Sequence, residues 1–283
     1  MSSSYDKSYR SPSLFSNRNI VLAGNAWAVL ALLYFLLFSA KVPGADGVES
    51  RADWYVIGTN IFEGLAYLGA GILCLRNWRS PQIVSSRNIW LAIAIGMFSY
   101  FLGGIFFGYT EIILDEEPDV SIGDIFFVLT YLSLGVGMIL AVASRRINLE
   151  KWQLLIVWAI GVFGSLLPWW ISMKESEPSE PLVTVLSWFY IVSDVVLLII
   201  ATTLLLAFWG GRVAQSWRMI AAAAFSLYIA DMWFNYAQGP NYQSGEILEV
   251  FWVFSGVLFG MGAVLEHDAS LSRTRRSSGR KRA

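Results

Sequence analysis

Long apolar runs, each near twenty residues and separated by short polar stretches, set the rhythm of this chain. About twenty consecutive apolar residues in a helix cross the hydrocarbon core of a bilayer. Eight runs of that kind predict eight helices, over about Ile20–Ala40, Trp54–Leu75, Ile89–Tyr109, Gly123–Ser144, Trp152–Met173, Leu182–Trp209, Trp217–Ala237 and Ile247–Glu266. The first run is too long for the core of a cleavable signal peptide, and no small-residue cleavage site follows it before Lys41. The expectation is an all-α, polytopic integral membrane domain over 20–266. An unstructured segment precedes it over 1–19 and a basic tail follows over 267–283.

Composition supports this and narrows the function. Of the 283 residues 56% are hydrophobic, 15% aromatic and 14% charged, and the mean hydropathy is +0.55. A soluble domain carries about 25% charged residues, so a soluble enzyme, a nucleic-acid module and a secreted disulfide scaffold are all poor fits. Cys74 is the single cysteine, so neither an intramolecular disulfide nor a CxxC metal site can form.

The charges are sorted by loop. Lys7, Arg10 and Arg18 precede the first run; Arg76, Arg79 and Arg87 flank the second loop, Arg145, Arg146 and Lys151 the fourth, and Arg212 and Arg218 the sixth. The loops between are acidic, with Asp46, Glu49 and Asp53, then Glu111, Asp115, Glu116, Glu117 and Asp119, then Glu175, Glu177 and Glu180, then Glu246. Lysine and arginine in short loops mark the cytoplasmic side. The expected topology is therefore multi-pass in the cell inner membrane with both termini cytoplasmic.

The halves of the chain resemble each other. Trp90 opens WLAIAIGMFSY and Trp217 opens WRMIAAAAFSLY; each is followed by a polar loop and a helix begun by an acid, Asp124 or Glu249. SWFYIVSDVVLL aligns with DWYVIGTNIFEG, which places Asp194 opposite Asn60. Two parallel four-helix repeats are expected, about 20–144 and 152–266, related by an axis along the membrane normal.

The stretch PDVSIGDIFF, with Pro118, Ser121 and Asp124, resembles the PSxxD element of bacterial eight-helix membrane sensor domains that precede GGDEF or EAL output modules. SDVVLL from Ser193 and the segment Trp217 to Glu249 resemble later helices of that family, so the likeness covers roughly Trp90 to Glu266. Two residues separate Pro118 from Ser121, a departure from the motif, and the chain contains no GGDEF or EAL run. The resemblance implies an input-type membrane module and does not imply a cyclase activity.

Ionisable side chains inside a span are costly and face protein or water. Asp194, Asp231 and Glu63 lie within predicted helices, while Asp124 and Glu249 begin two of them, and all five fall toward the acidic-loop side. Helical spacing places Asn60 with Glu63, Tyr190 with Asp194, and Tyr228 and Asn235 with Asp231. The expected site is an outward-facing acidic cavity suited to a cation, a protonated ligand or protons. Structural uses stand beside it: helix-start acids for Asp124 and Glu249, and interhelical hydrogen bonds for Asp194 and Glu63.

Other features read as structural. Gly104–Gly108 and Gly256–Gly260 are GxxxG pairs, which permit close helix approach or dimerisation. Trp54, Trp152, Trp169, Trp170, Trp217 and Trp233 stand near helix ends, as interface anchors do. The single histidine, His267, cannot make a haem or zinc cluster alone, and no lysine lies in the later spans to form a retinal Schiff base. No GxSxG, HExxH or Walker sequence occurs, so no catalysis is expected and no cofactor is named. In the tail, Arg273, Arg275, Arg276, Arg280, Lys281 and Arg282 suit anionic lipid headgroups at about 1 kcal/mol each. Enforcing topology or binding a cytoplasmic partner are the other uses open to them.

The functional expectation is a non-catalytic sensory or ligand-binding module that signals to a separate protein. A small secondary transporter coupled to protons or cations, and a structural subunit of a larger membrane complex, are the alternatives. The partners implied are the bilayer and a membrane or cytoplasmic protein, not nucleic acid.

Overall fold

In lipid a backbone must satisfy its own hydrogen bonds, which leaves helices as the spanning element for a chain patterned this way. A computed structural model describes residues 16–43, 49–114, 120–144, 147–173, 180–208, 214–238 and 242–280. Among them are eight α-helices: α1 Asn17–Phe38, α2 Asp53–Arg79, α3 Arg87–Ile113, α4 Gly123–Ala143, α5 Lys151–Ser172, α6 Pro181–Ala207, α7 Ala214–Ala237 and α8 Val250–Arg280. A single 3-10 turn, Ile247–Glu249, leads into α8. Two-residue strands β1 (Val42–Pro43) and β2 (Glu49–Ser50) pair antiparallel in the α1–α2 loop.

Seven of these helices are long and apolar enough to cross a membrane, the architecture of a multi-pass membrane protein. The exception is α7, predicted as a span with the others. Its sequence is rich in alanine and carries Ser216, Ser226, Asp231 and Asn235, which lowers its hydropathy. Half of its 24 residues are buried, so it needs little apolar surface of its own.

Six helices close a ring in which neighbours pack in the order α2, α3, α4, α6, α7, α8 and back to α2. Outside it, α1 packs on α8 and more lightly on α2, whereas α5 packs on α6 and more lightly on α7. The α2–α8 seam is tight because Gly256 lacks a side chain: a Cβ there would stand 3.0 Å from Ala66 Cβ. This is the close approach the second GxxxG pair permits, whereas a Cβ on Gly104 would meet nothing.

The ring has two unlike ends. At the end carrying the basic loops, Ser85 donates from its backbone and hydroxyl to Glu266 Oε1 (3.1 and 2.8 Å), and Trp90 Nε1 donates to Ser85 Oγ (2.7 Å). Asn77 donates to Ala263 O at 2.8 Å, tying α2 to α8. Toward this end the ring interior is filled by apolar side chains, among them Met97, Leu134, Met138, Leu204 and Ile220. Trp217, expected as an interface anchor, belongs to this core: it is 2% exposed and stacks on Phe208.

The last predicted span ends at Glu266, but α8 runs on without a break to Arg280. Contacts along it explain the continuation, since Ser270 donates to Glu266 O and accepts from Val84 N. Arg273 is exposed on this extension. The side chains of Arg275, Arg276 and Arg280, with Lys281 and Arg282, lie outside the described residues. So do residues 1–15, the acidic run 115–119 that includes Pro118, and Arg145 and Arg146.

Candidate functional site

Toward the acidic-loop end the ring interior turns polar, and every ring helix contributes to it. At its centre Tyr131 of α4 stands between two carboxyl groups. Its hydroxyl contacts Asp194 Oδ1 of α6 at 2.9 Å and Asp231 Oδ2 of α7. Trp252 Nε1 of α8 donates to the other oxygen, Asp231 Oδ1, at 2.6 Å. Asp194 is 1% exposed, and its Oδ2 is buried with no hydrogen-bonding partner. On the other wall, the Tyr67 and Tyr100 rings of α2 and α3 stack with centroids 3.7 Å apart. The Glu63 carboxyl takes the Tyr100 hydroxyl, and the Tyr67 hydroxyl lies beside Ser255 of α8. Glu63 is close enough to Asp231 and Glu249 for their charges to be felt.

Two further acids flank this centre. Asp124 begins α4 and accepts from Ser121 N at 2.7 Å, the reciprocal arrangement of a capped helix start. Its other oxygen accepts from the Tyr190 hydroxyl at 2.8 Å, so a structural acid is also tied to the turn of α6 before Asp194. Glu249, 4% exposed, accepts from the Tyr242 hydroxyl at 2.6 Å and from Gly245 N at 2.7 Å. Burial, and then the neighbouring Glu249 charge, push the Tyr242 phenol far above its ordinary range.

The described part of the α7–α8 loop, residues 242–246, is thereby fastened to Glu249, and further bonds tie it to the start of α2. Tyr55 donates to Gly245 O at 2.7 Å. The Arg51 guanidinium donates to Ser39 O (3.1 Å), Gln243 O (2.8 Å) and Glu246 Oε1 (2.9 Å), with its side chain 6% exposed. Gly245 has φ +93°, a conformation that side-chain-bearing residues adopt at a cost.

The sequence-predicted residues thus divide. Asp194 and Asp231 come together through Tyr131, Asp124 pairs with Tyr190, and Glu63 and Glu249 join the same interior. Tyr228 turns away, its hydroxyl donating to Gly164 O on α5. Asn235 and Asn60 each donate back to their own helix, at Asp231 O and Val56 O. Sequence reasoning missed Tyr131, Trp252, Tyr100, Tyr67, Tyr242 and Arg51. A spacing signal was present for three: Tyr131 is seven residues after Asp124, Trp252 three after Glu249, and Tyr67 four after Glu63, each a helix-face spacing.

The chemistry of such an interior is acceptor-rich and lacks a built-in cation. Among the described residues the one ion pair is Arg51–Glu246, above the centre rather than in it. No group of three or more His, Cys, Asp or Glu side chains is placed to hold a metal ion among those residues. Charge balance then falls to protons or to a bound cation. Comparison of the chain with family models, curated proteins and solved structures returns no match in any of the three.

Proposed function

We propose that this protein is a non-catalytic sensory or ligand-binding module of a cytoplasmic membrane. In this reading the acidic-loop end faces outward, the Asp194–Tyr131–Asp231–Trp252 centre is the ligand seat, and the signal passes to a separate protein. The observation that carries the reading is α8. It supplies Trp252 to the polar centre and continues as one helix to Arg280 at the basic-loop end. At 1.5 Å per residue its 31 residues reach about 46 Å, enough to link a change at the centre mechanically to the opposite face. The loop charges support the orientation through the cytoplasmic preference of lysine and arginine.

The repeat belongs to the same proposal. Exchanging α2 with α6, α3 with α7 and α4 with α8 leaves the neighbour order of the ring unchanged. The peripheral helices depart from it, since α1 sits on α8 while α5 sits on α6. The likeness to sensor domains noted in the sequence agrees with this reading but does not carry it.

Purified protein in liposomes tests it. Changing pH or Na⁺ on the outward side is expected to alter tryptophan emission through Trp252, and Asp194→Asn with Asp231→Asn to abolish the change. Flux of protons or Na⁺ through the protein would instead establish the secondary-transport reading.

A further inference from the structure

We infer that the Asp194–Tyr131–Asp231 bridge is a proton-binding site that holds one exchangeable proton at neutral pH. This deepens the ligand-binding reading and rests on it, naming the proton as a ligand of that same seat. The argument is a count of hydrogens. The Tyr131 oxygen contacts a carboxyl oxygen on each side, from Asp194 and from Asp231. The phenol has one hydrogen to place, so with both acids ionised one contact would join two oxygens with no hydrogen between them. Two hydrogen bonds there require a second hydrogen, and it must sit on a carboxyl group.

The partners say which one. Asp231 receives two donors, the Trp252 indole on Oδ1 and the phenol on Oδ2, the environment of a carboxylate. Asp194 receives no donor on Oδ2, which is buried, a position far less costly for a neutral acid than for a charged one, and its carboxyl group also lies within hydrogen-bonding reach of Asp231, a contact that two charged acids would resist. The hydrogen bonds then run one way: Asp194 Oδ1–H donates to the Tyr131 oxygen, and Tyr131 O–H and Trp252 N–H both donate to the Asp231 carboxylate.

Loss of the proton to water leaves Asp194 ionised and both carboxylates sharing one phenolic hydrogen. The contact left without hydrogen becomes repulsive, so the site couples occupancy to the spacing of α4, α6 and α7. The other groups around it are Tyr190 on α6, Asp124 at the start of α4, Glu63 and Tyr67 on α2, Tyr100 on α3 and Glu249 before α8, with Tyr228 on α7 near enough to feel the Asp194 charge although its hydroxyl is turned to Gly164 O. Among the described residues none of these is cationic, so no side chain of the ring replaces the proton's charge.

Infrared spectroscopy of the full chain in lipid nanodiscs reads the proton directly. At neutral pH the expected spectrum contains a carbonyl component from the protonated Asp194 carboxyl group, shifted in D₂O and bleached at alkaline pH. Asp194→Asn is expected to remove the band. Asp231→Asn is expected to remove it too, because the amide it introduces donates to Tyr131 and turns the phenolic hydrogen toward Asp194. Glu63→Gln is expected to remove only its own contribution and to leave the Asp194 component, and native tryptophan emission shows which variants are folded. An Asp194→Asn variant whose spectrum keeps every carboxylic component of the parent overturns the assignment. A band that behaves as expected in a protein whose emission ignores pH and Na⁺ sinks the sensory reading alone.

Discussion

Arg51→Ala is the most informative single change outside the membrane-spanning helices. The side chain is 6% exposed and donates to three acceptors, Ser39 O, Gln243 O and Glu246 Oε1, so its removal leaves all three without their donor. Hydrogen bonds from a charged group contribute about 1.5–3 kcal/mol each, and breaking a buried charged pair costs about 3–5 kcal/mol. Glu246 is 29% exposed and recovers water, which holds the total to about 3–5 kcal/mol rather than the sum of three bonds. In a chain of this size 1 kcal/mol moves the melting temperature by about 2–4 °C, so the expected fall is about 6–20 °C. Arg51→Lys keeps the charge but not the fork of donors, and should recover less than half of it. Glu246→Ala should cost only about 1 kcal/mol, because the two carbonyls keep their guanidinium. The assay is thermal unfolding followed by intrinsic fluorescence, with all variants in one detergent. An alanine variant that melts within about 2 °C of the parent refutes the clasp.

Gly245→Ala should lower stability by about 2–4 kcal/mol, because φ +93° is unfavourable for a residue with a side chain and its Cβ would stand 2.5 Å from Tyr55 Cε1; an unchanged melting temperature counts against it. Alkaline pH should act through Tyr242, whose phenol is held above the usual range by burial and by Glu249. A raised folded-state pKa gives stability that is complete below the unfolded value near 10 and is lost as pH climbs above it. Tyr242→Phe is therefore expected to flatten the decline above pH ~10 by about 1.4 kcal/mol per unit, read from denaturation midpoints; an unaltered slope rejects it.

Much of the fold was legible because a bilayer imposes one simple requirement, a run of apolar residues, and seven helices meet it. The helix that least resembles a span, α7, is enclosed by its neighbours, and enclosure by other protein is invisible to a measure of hydropathy. The α8 extension past Glu266 was missed for a related reason: its continuity rests on Ser270 and Glu266 meeting the α2–α3 loop, which are long-range contacts. For the site, rarity pointed to the acids, since a carboxyl group inside a span needs an explanation. Their partners were harder to see because tyrosine and tryptophan are common throughout this chain. Arg51 was hidden differently. A lone arginine in an acidic loop looks like an exception to the charge pattern until Glu246 and two carbonyls, almost two hundred residues away or across the loop, are found around it.

The position of the polar centre along the ring bears on the choice between sensing and transport. A solute arriving from the acidic-loop end would meet the clasped α7–α8 loop, then the carboxyl and phenol groups, and then an interior filled by Met97, Leu134, Met138, Leu204 and Ile220. Continuing would require the helices to part along seams whose polar side chains are already bonded from helix to helix, as Thr130 is to Gly96 O and Ser216 to Gly262 O, and would expose apolar side chains whose burial stabilises by roughly 1.5–3 kcal/mol each. A proton faces the same barrier, because the hydrogen-bonded chain from Asp194 to Trp252 turns across the ring rather than along it. The helices α4, α6, α7 and α8 all hold members of that chain, so a change in its proton content acts on their spacing before it acts on anything below. In this conformation the polar centre is connected to the far side through a helix, α8, and not through a path.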